Sequence, residues 1–186
     1  MNIDRRDALA GMAAMFGAAL FAPIARAAAA QVMPISSGPP SVPVFTAQQR
    51  ELMTALSERI MPTTDTPGAI AAGVPAFIEK MLADWALPAD RVPILAGLDA
   101  IEARSQADNG VAAASATPEQ QDALLTLAME DQLPGGKAFF EPFRQLVITG
   151  YFTSEIGITQ EREYLPVPGR YDGAYPYSEV NKVFSS

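Results

Sequence analysis

The side chains best able to move protons gather late in the sequence. Glu155, Glu161, Glu163 and Asp172 fall close together, with Tyr151 and Tyr164 among them. Two carboxylates held at a fixed separation can run glycosyl transfer, one as acid and the other as base or nucleophile. A phenol can also donate a proton. Nothing in this spacing fixes a separation, however, so solvated surface acids are the better reading. The two tyrosines suit a core or an interface equally well. Asp65, in the run TTDTPGAIAAGV, could hold a cation or a substrate oxygen. It could equally accept amide hydrogen bonds beside the Thr66-Pro67-Gly68 turn, where Pro and Gly occupy the favoured central positions. The turn is the expectation. Gly135-Gly136 lacks the flanking pattern of a phosphate loop and reads as a helix-breaking turn. No catalytic, cofactor-binding or metal-binding residue is expected.

Composition narrows the chemistry further. The 186 residues include no Cys and no His. Zinc, haem and iron–sulfur centres are mostly held by those two side chains. Covalent haem attachment and Ser-His-Asp or Cys-His nucleophiles are excluded outright. The formal net charge of −8 argues against nucleic acid, which requires clustered Lys and Arg to displace counterions. It also argues against direct adhesion to anionic lipid. A hydrophobic content of 49% is ample for a packed core.

Apolar residues recur at steps of three and four, and no alternating β-branched run suggests a sheet. The expected class is all-α, an irregular bundle of about five helices. The first starts at Thr46, whose spacing to Gln49 fits a capping box, and buries Leu52, Met53, Leu56 and Ile60 before Pro62. The second follows Pro75, with Phe77, Ile78, Met81, Leu82 and Trp85 facing the core. Pro88 ends that segment, and the third begins near Asp90. It tolerates Pro93 in its first turn, packs Val92, Leu95, Leu98 and Ile101 inward, and ends at Asn109-Gly110. The fourth starts at Thr117-Pro118, with Leu124, Leu127 and Ala128 inside. The fifth runs from Lys137 to about Ile156, with Phe139, Phe140, Phe143, Leu146, Val147, Gly150 and Tyr151 on one face.

The two ends differ from this pattern. Residues 1–27 read as a targeting segment: Arg5-Arg6, an uncharged run from Ala8 to Ala25, then an A-x-A cleavage pattern at Ala25 and Ala27. The adjacent arginines resemble a twin-arginine signal, which exports folded cargo; an ordinary secretory signal or an uncleaved anchor are the alternatives. Residues 28–45 form a Pro/Ser-rich linker, 46–160 the helical domain and 161–186 an extended arm. In the arm, Pro166 and Pro168 fix φ, remove donors and push their predecessors toward extended backbone. Rigid aromatics on such an arm suit a partner's surface. The expected partner interface is Tyr151, Phe152, Tyr164, Pro166, Pro168, Tyr171 and Tyr175.

Three stretches together resemble the gluconate 2-dehydrogenase subunit 3 family. They are the leader with Arg5-Arg6, IMPTTDTPGAIAAGVPAFI at 60–78, and FRQLVITGYFTSEIG leading into YLPVPGRYDG at 143–173. The GYFTSE element followed by the PVPG segment is the more specific part. Many members carry Cys after the Asp-Gly of the tail, where this chain has Ala174, so no redox role attaches to that position here. The resemblance implies a small subunit that binds no cofactor itself. Its partner would be a GMC-type flavoprotein carrying FAD, and a membrane-attached multihaem c-type cytochrome would accept the electrons. The small subunit would serve folding and export of the flavoprotein into the periplasm, touching the membrane only indirectly. Two other readings remain: a stand-alone periplasmic helical binding module, which would carry a pre-formed apolar pocket, and an enzyme resting on the late carboxylates.

Overall fold

The computed structural model describes residues 39–164 and, beyond them, only Pro176, Ser178, Phe184 and Ser185. Five α-helices carry the fold: α1 Ala47–Ile60, α2 Val74–Asp84, α3 Pro88–Asn109, α4 Pro118–Met129 and α5 Gly136–Phe152. A short 3-10 turn, Ala113–Ser115, bridges α3 and α4, and a π-helical turn, Gly157–Glu161, follows α5. Glu163–Tyr164 (β1) pairs in parallel with Phe184–Ser185 (β2), a two-residue ladder at the edge of a helical molecule. No helix among the described residues is long and apolar enough to cross a membrane.

Local chemistry sets the helix starts. Thr46 and Thr117 each accept a hydrogen bond from the amide of the third helical residue, Gln49 and Gln120, whose side chains accept in return from the threonine amides. Each box satisfies two amides that a helix start otherwise leaves open. Pro88 and Pro118 stand at first helical positions, where a missing N–H costs nothing. Gly110, with φ of 69°, closes α3 in the left-handed conformation.

Helix α5 is the central element and contacts α1, α2, α3 and α4. Its buried face carries Phe139, Phe140, Phe143, Val147, Gly150 and Tyr151. The Phe139 and Phe143 rings stack 5.1 Å apart. Gly97 of α3 lies so close to Phe139 that a Cβ there would overlap the ring, so the α3–α5 crossing depends on this glycine. Leu52, Met53 and Leu56 of α1, Ile78 of α2, Ile94, Leu98 and Ile101 of α3, and Leu124 of α4 complete the core. Buried polar side chains are satisfied at backbone carbonyls. Gln121 donates to Ala113 and Ala114, Ser105 to Val111, and Ser57 to Met53.

Three helix expectations need correction. Pro88 starts α3 rather than ending α2, which moves Pro93 into the second turn. On α3 the inward position belongs to Ile94, and Val92 is 61% exposed. Trp85, expected in the core, is the C-cap residue of α2 and is 64% exposed. The buried face of α3 runs through Ile94, Gly97, Leu98 and Ile101, which leaves Val92 off it, and a side chain at a helix end such as Trp85 answers to the corner rather than to the stripe. α5 also stops at Phe152 rather than near Ile156. Gly157 packs onto the Tyr151 carbonyl, and Ser154 bridges by donating to that carbonyl and accepting from the Gly157 amide.

Candidate functional site

Two segments singled out in the sequence, the Thr63–Gly73 loop and the end of α5, meet in space. The loop is first organised by Glu58 in the last turn of α1. Its carboxylate accepts from the Thr63 amide at 3.0 Å and hydroxyl at 2.7 Å, and from the Ile70 amide at 2.9 Å. Burial works against its charge. The hydrogen bonds from Ile70 and Thr63, helped by the neighbouring Arg59 guanidinium, outweigh burial and hold the carboxyl below its ordinary value. Gly68 is required here, because a Cβ would overlap the Glu58 carboxylate. Sequence pattern gave no warning of Glu58. Its position near a helix end, just before a Thr-rich loop full of unpaired amides, is the signal that could have found it.

The end of α5 then fastens the far side of the loop. Tyr151 is 2% exposed, and its hydroxyl donates to the Pro67 carbonyl at 2.9 Å and lies 3.4 Å from Thr66 Oγ1. Thr66 Oγ1 donates to Glu161 in the π-helical turn at 2.6 Å. Arg162 lies over the Phe152 ring, 4.6 Å from its centroid, and Phe152 is half-buried against the core. The loop, α5 and the turn leading to the C-terminal segment are thus one hydrogen-bonded knot.

This corrects the expectation for Tyr151. It is not an interface tyrosine awaiting a partner: the fold already buries it and satisfies its hydroxyl. Phe152 is partly covered by the chain itself. Tyr164 lies in β1, while Pro166, Pro168, Tyr171 and Tyr175 lie outside the described residues, as do Arg5, Arg6, Ala25 and Ala27. Of the late carboxylates, Glu161 belongs to the knot, Glu155 is exposed beside it, and Asp172 lies outside the described residues. Asp65 is exposed and accepts from the adjacent Thr64 hydroxyl, as a turn residue does. Among the described residues no three carboxylates converge as a metal site would require.

A cleft of about 420 Å³ opens between α1 and α3, lined by Gln49, Leu52, Leu98, Asp99 and Glu102 among others. Its polar groups are largely used within the fold. Gln49 donates to Asp99, and Glu102 accepts from Gln106 and from the Ala113 amide. It is a mixed-polarity crevice, not the apolar pocket that a binding module would present.

Among the described residues the most exposed apolar side chains stand at the α2–α3 corner. Trp85 and Leu87 are 64% and 67% exposed, with Val92 one turn further and Val42 on the neighbouring entry segment. Ser41 ties that segment to the corner, its amide donating to Asp84 and its hydroxyl to the Ala83 carbonyl. Hydrogen bonds from Lys80 and from Ser41 pull the Asp84 carboxyl down to about 2.

Residues 47–169 match the family model described as gluconate 2-dehydrogenase subunit 3, a span that includes both halves of the knot and the whole corner. No curated protein and no solved structure matches the chain.

Proposed function

Because the chain belongs to the gluconate 2-dehydrogenase subunit 3 family, we propose that it is the non-catalytic small subunit of a periplasmic, FAD-dependent sugar or polyol dehydrogenase. The flavin would sit in a GMC-type catalytic subunit, and a multihaem c-type cytochrome would take the electrons. The small subunit would brace the flavoprotein and, through Arg5 and Arg6, carry it outward by the twin-arginine route. The observation that carries this reading is the family match across 47–169, which takes in the bundle and both segments that form the knot.

Physical chemistry supports the same division of labour. With neither imidazole nor thiol, the chain has few groups suited to proton or metal chemistry near neutral pH. Of the described late carboxylates, Glu161 is committed to Thr66 and Glu155 is exposed beside it, while Asp99 and Glu102 in the cleft already accept hydrogen bonds from within the fold. A folded, internally tied bundle with exposed apolar side chains is a brace rather than a catalyst. Export in the folded state would let a partner lacking its own leader travel bound to this chain.

The test is co-expression. The flavoprotein subunit is produced alone, with the wild-type chain, and with a chain carrying Arg5→Lys and Arg6→Lys. Dye-linked dehydrogenase activity is then assayed in periplasmic and cytoplasmic fractions. The expected result is periplasmic activity only with the wild-type chain, and activity retained in the cytoplasm with the double-lysine leader. Full periplasmic activity of the flavoprotein alone would overturn the proposal.

A further inference from the structure

We propose that the α2–α3 corner, with Trp85 and Leu87 at its tip, is the docking site for the catalytic subunit of the dehydrogenase, which would receive it in an apolar cup rimmed by Lys or Arg. This rests on the small-subunit reading above and says which surface does the work.

The corner combines exposure with rigidity. Among the described residues Trp85 and Leu87 are the most exposed large apolar side chains, and they stand two residues apart. Apolar surface in water is unfavourable, and adjoining exposed apolar side chains, unlike single scattered ones, mark interaction sites. The backbone that carries them is fixed. The amides of Trp85 and Ala86 both donate to the Met81 carbonyl. The Arg91 guanidinium reaches back from α3 and donates through Nη2 to the carbonyls of Ala83 at 3.2 Å and Ala86 at 3.1 Å. Pro88 begins α3 directly after Leu87, and Ser41 clips the entry segment to Asp84 and to the same Ala83 carbonyl that Arg91 reaches. The Arg91 guanidinium, with its Nε buried, thus pins the corner's backbone from α3. Little backbone freedom would be lost on binding, which favours an aromatic anchor.

Charge defines the partner's rim. Arg50, Arg59, Lys80, Arg104 and Arg144 are already bridged to carboxylates of this chain, and the Arg91 guanidinium is turned toward the Ala83 and Ala86 carbonyls. Exposed Asp90, three residues from Leu87 and in the first turn of α3, is in no such bridge, and the whole chain carries a net charge of −8. The complementary surface is therefore apolar at its centre and basic around it. The knot offers no comparable anchor, since Tyr151 is buried and its hydroxyl is bonded.

The experiment compares the affinity of the purified flavoprotein subunit for four forms of the small chain: wild type, Trp85→Ala, Leu87→Ser, and Met129→Ala as an exposed apolar control on another helix. Thermal melts confirm that each is folded, and light scattering gives the state of each chain alone. The small chains carry 5-fluorotryptophan, so that Trp85, the one Trp of this chain, is read by fluorine resonance apart from tryptophans of the partner. The expected result is about 30-fold or greater weakening for Trp85→Ala and Leu87→Ser, the scale of a hot spot. Melting is unchanged, the control is within about threefold of wild type, and the Trp85 resonance shifts on addition of the flavoprotein. Equal binding by all four forms overturns the corner as the docking site and leaves the subunit reading intact. Failure of the wild type to bind removes the subunit reading itself. Self-association of the wild type that both corner variants abolish, with flavoprotein binding undiminished, would make the occupant a second copy and overturn the proposal as stated.

Discussion

Tyr151 and Trp85 exchange the places that sequence pattern suggests for them. The tyrosine, at the end of an aromatic helix running into a Pro-rich arm, looks made for a partner, yet the fold encloses it and bonds its hydroxyl to Pro67. The tryptophan, on the apolar stripe of α2, looks made for the core, yet it stands at the corner in water. The difference lies in what surrounds each position. Tyr151 sits where the 63–73 loop folds back over a helix and turns the Pro67 carbonyl toward it, so a phenol satisfies the interior. Trp85 caps its helix, and the chain turns away before any element can cover it. Residue type therefore says less about inside and outside than the course of the backbone two or three residues on.

The largest test of that contrast is truncation of the two rings. Tyr151→Ala removes a fully packed aromatic and should cost about 3–5 kcal/mol of unfolding free energy, as for other buried aromatic truncations. Trp85→Ala should stay within about 0.5 kcal/mol of wild type, because an exposed side chain leaves no cavity. Urea unfolding followed by circular dichroism measures both. Comparable losses at the two positions would erase the distinction.

A smaller change isolates the hydroxyl. Tyr151→Phe keeps the ring and leaves the Pro67 carbonyl without its donor, so a loss of about 1–3 kcal/mol is expected. Amide exchange should quicken across 63–73 before it quickens in α1 or α3. Thr66→Val cuts the link to Glu161 and should free the π-helical turn while leaving the global melt nearly unchanged. Faster proteolysis confined to 153–164 is the observable. If exchange rises evenly over the whole bundle instead, the knot is not a separate unit of stability.

The bundle itself was legible because its signals are local and redundant. Thr46 with Gln49, and Thr117 with Gln120, announce their helices by capping chemistry that needs no tertiary context, and the α5 face repeats Phe, Val and Tyr at helical steps. What pattern missed required knowledge of neighbours. Glu58 matters because a loop twelve residues long in reach returns its Ile70 amide to it. Gly97 matters because Phe139, far along the chain, crosses there. Trp85 is exposed because it caps α2 at a corner, and Val92 because the buried face of α3 passes through Ile94 and Gly97 instead. The candidate site shows the same split. Both segments of the knot stand out as sequence, whereas their contact, and the exposure of the corner, follow only from how the helices pack.

The mildest test is acid titration, and it separates the two regions by their anchoring carboxylates. Glu58 ties the knot's loop and Asp84 ties the corner's entry segment, and both are held below their ordinary values, Asp84 down to about 2. A carboxyl depressed in the folded state stabilises in full above its unfolded value, near pH 4, and loses that contribution as pH falls through the folded value. Wild-type unfolding midpoints should therefore drop between about pH 4 and pH 2. Glu58→Gln should lower the midpoint at neutral pH and flatten the drop, because its carboxylate is partly buried and bonds to two amides and a hydroxyl. Asp84→Asn should flatten it less, since solvent screens a surface pair such as Lys80–Asp84. A steeper dependence on Asp84 than on Glu58 would mean that the corner, not the knot, is the region whose charge holds the fold together. The exposed rings would then be riding on a structural element rather than on a preformed knob.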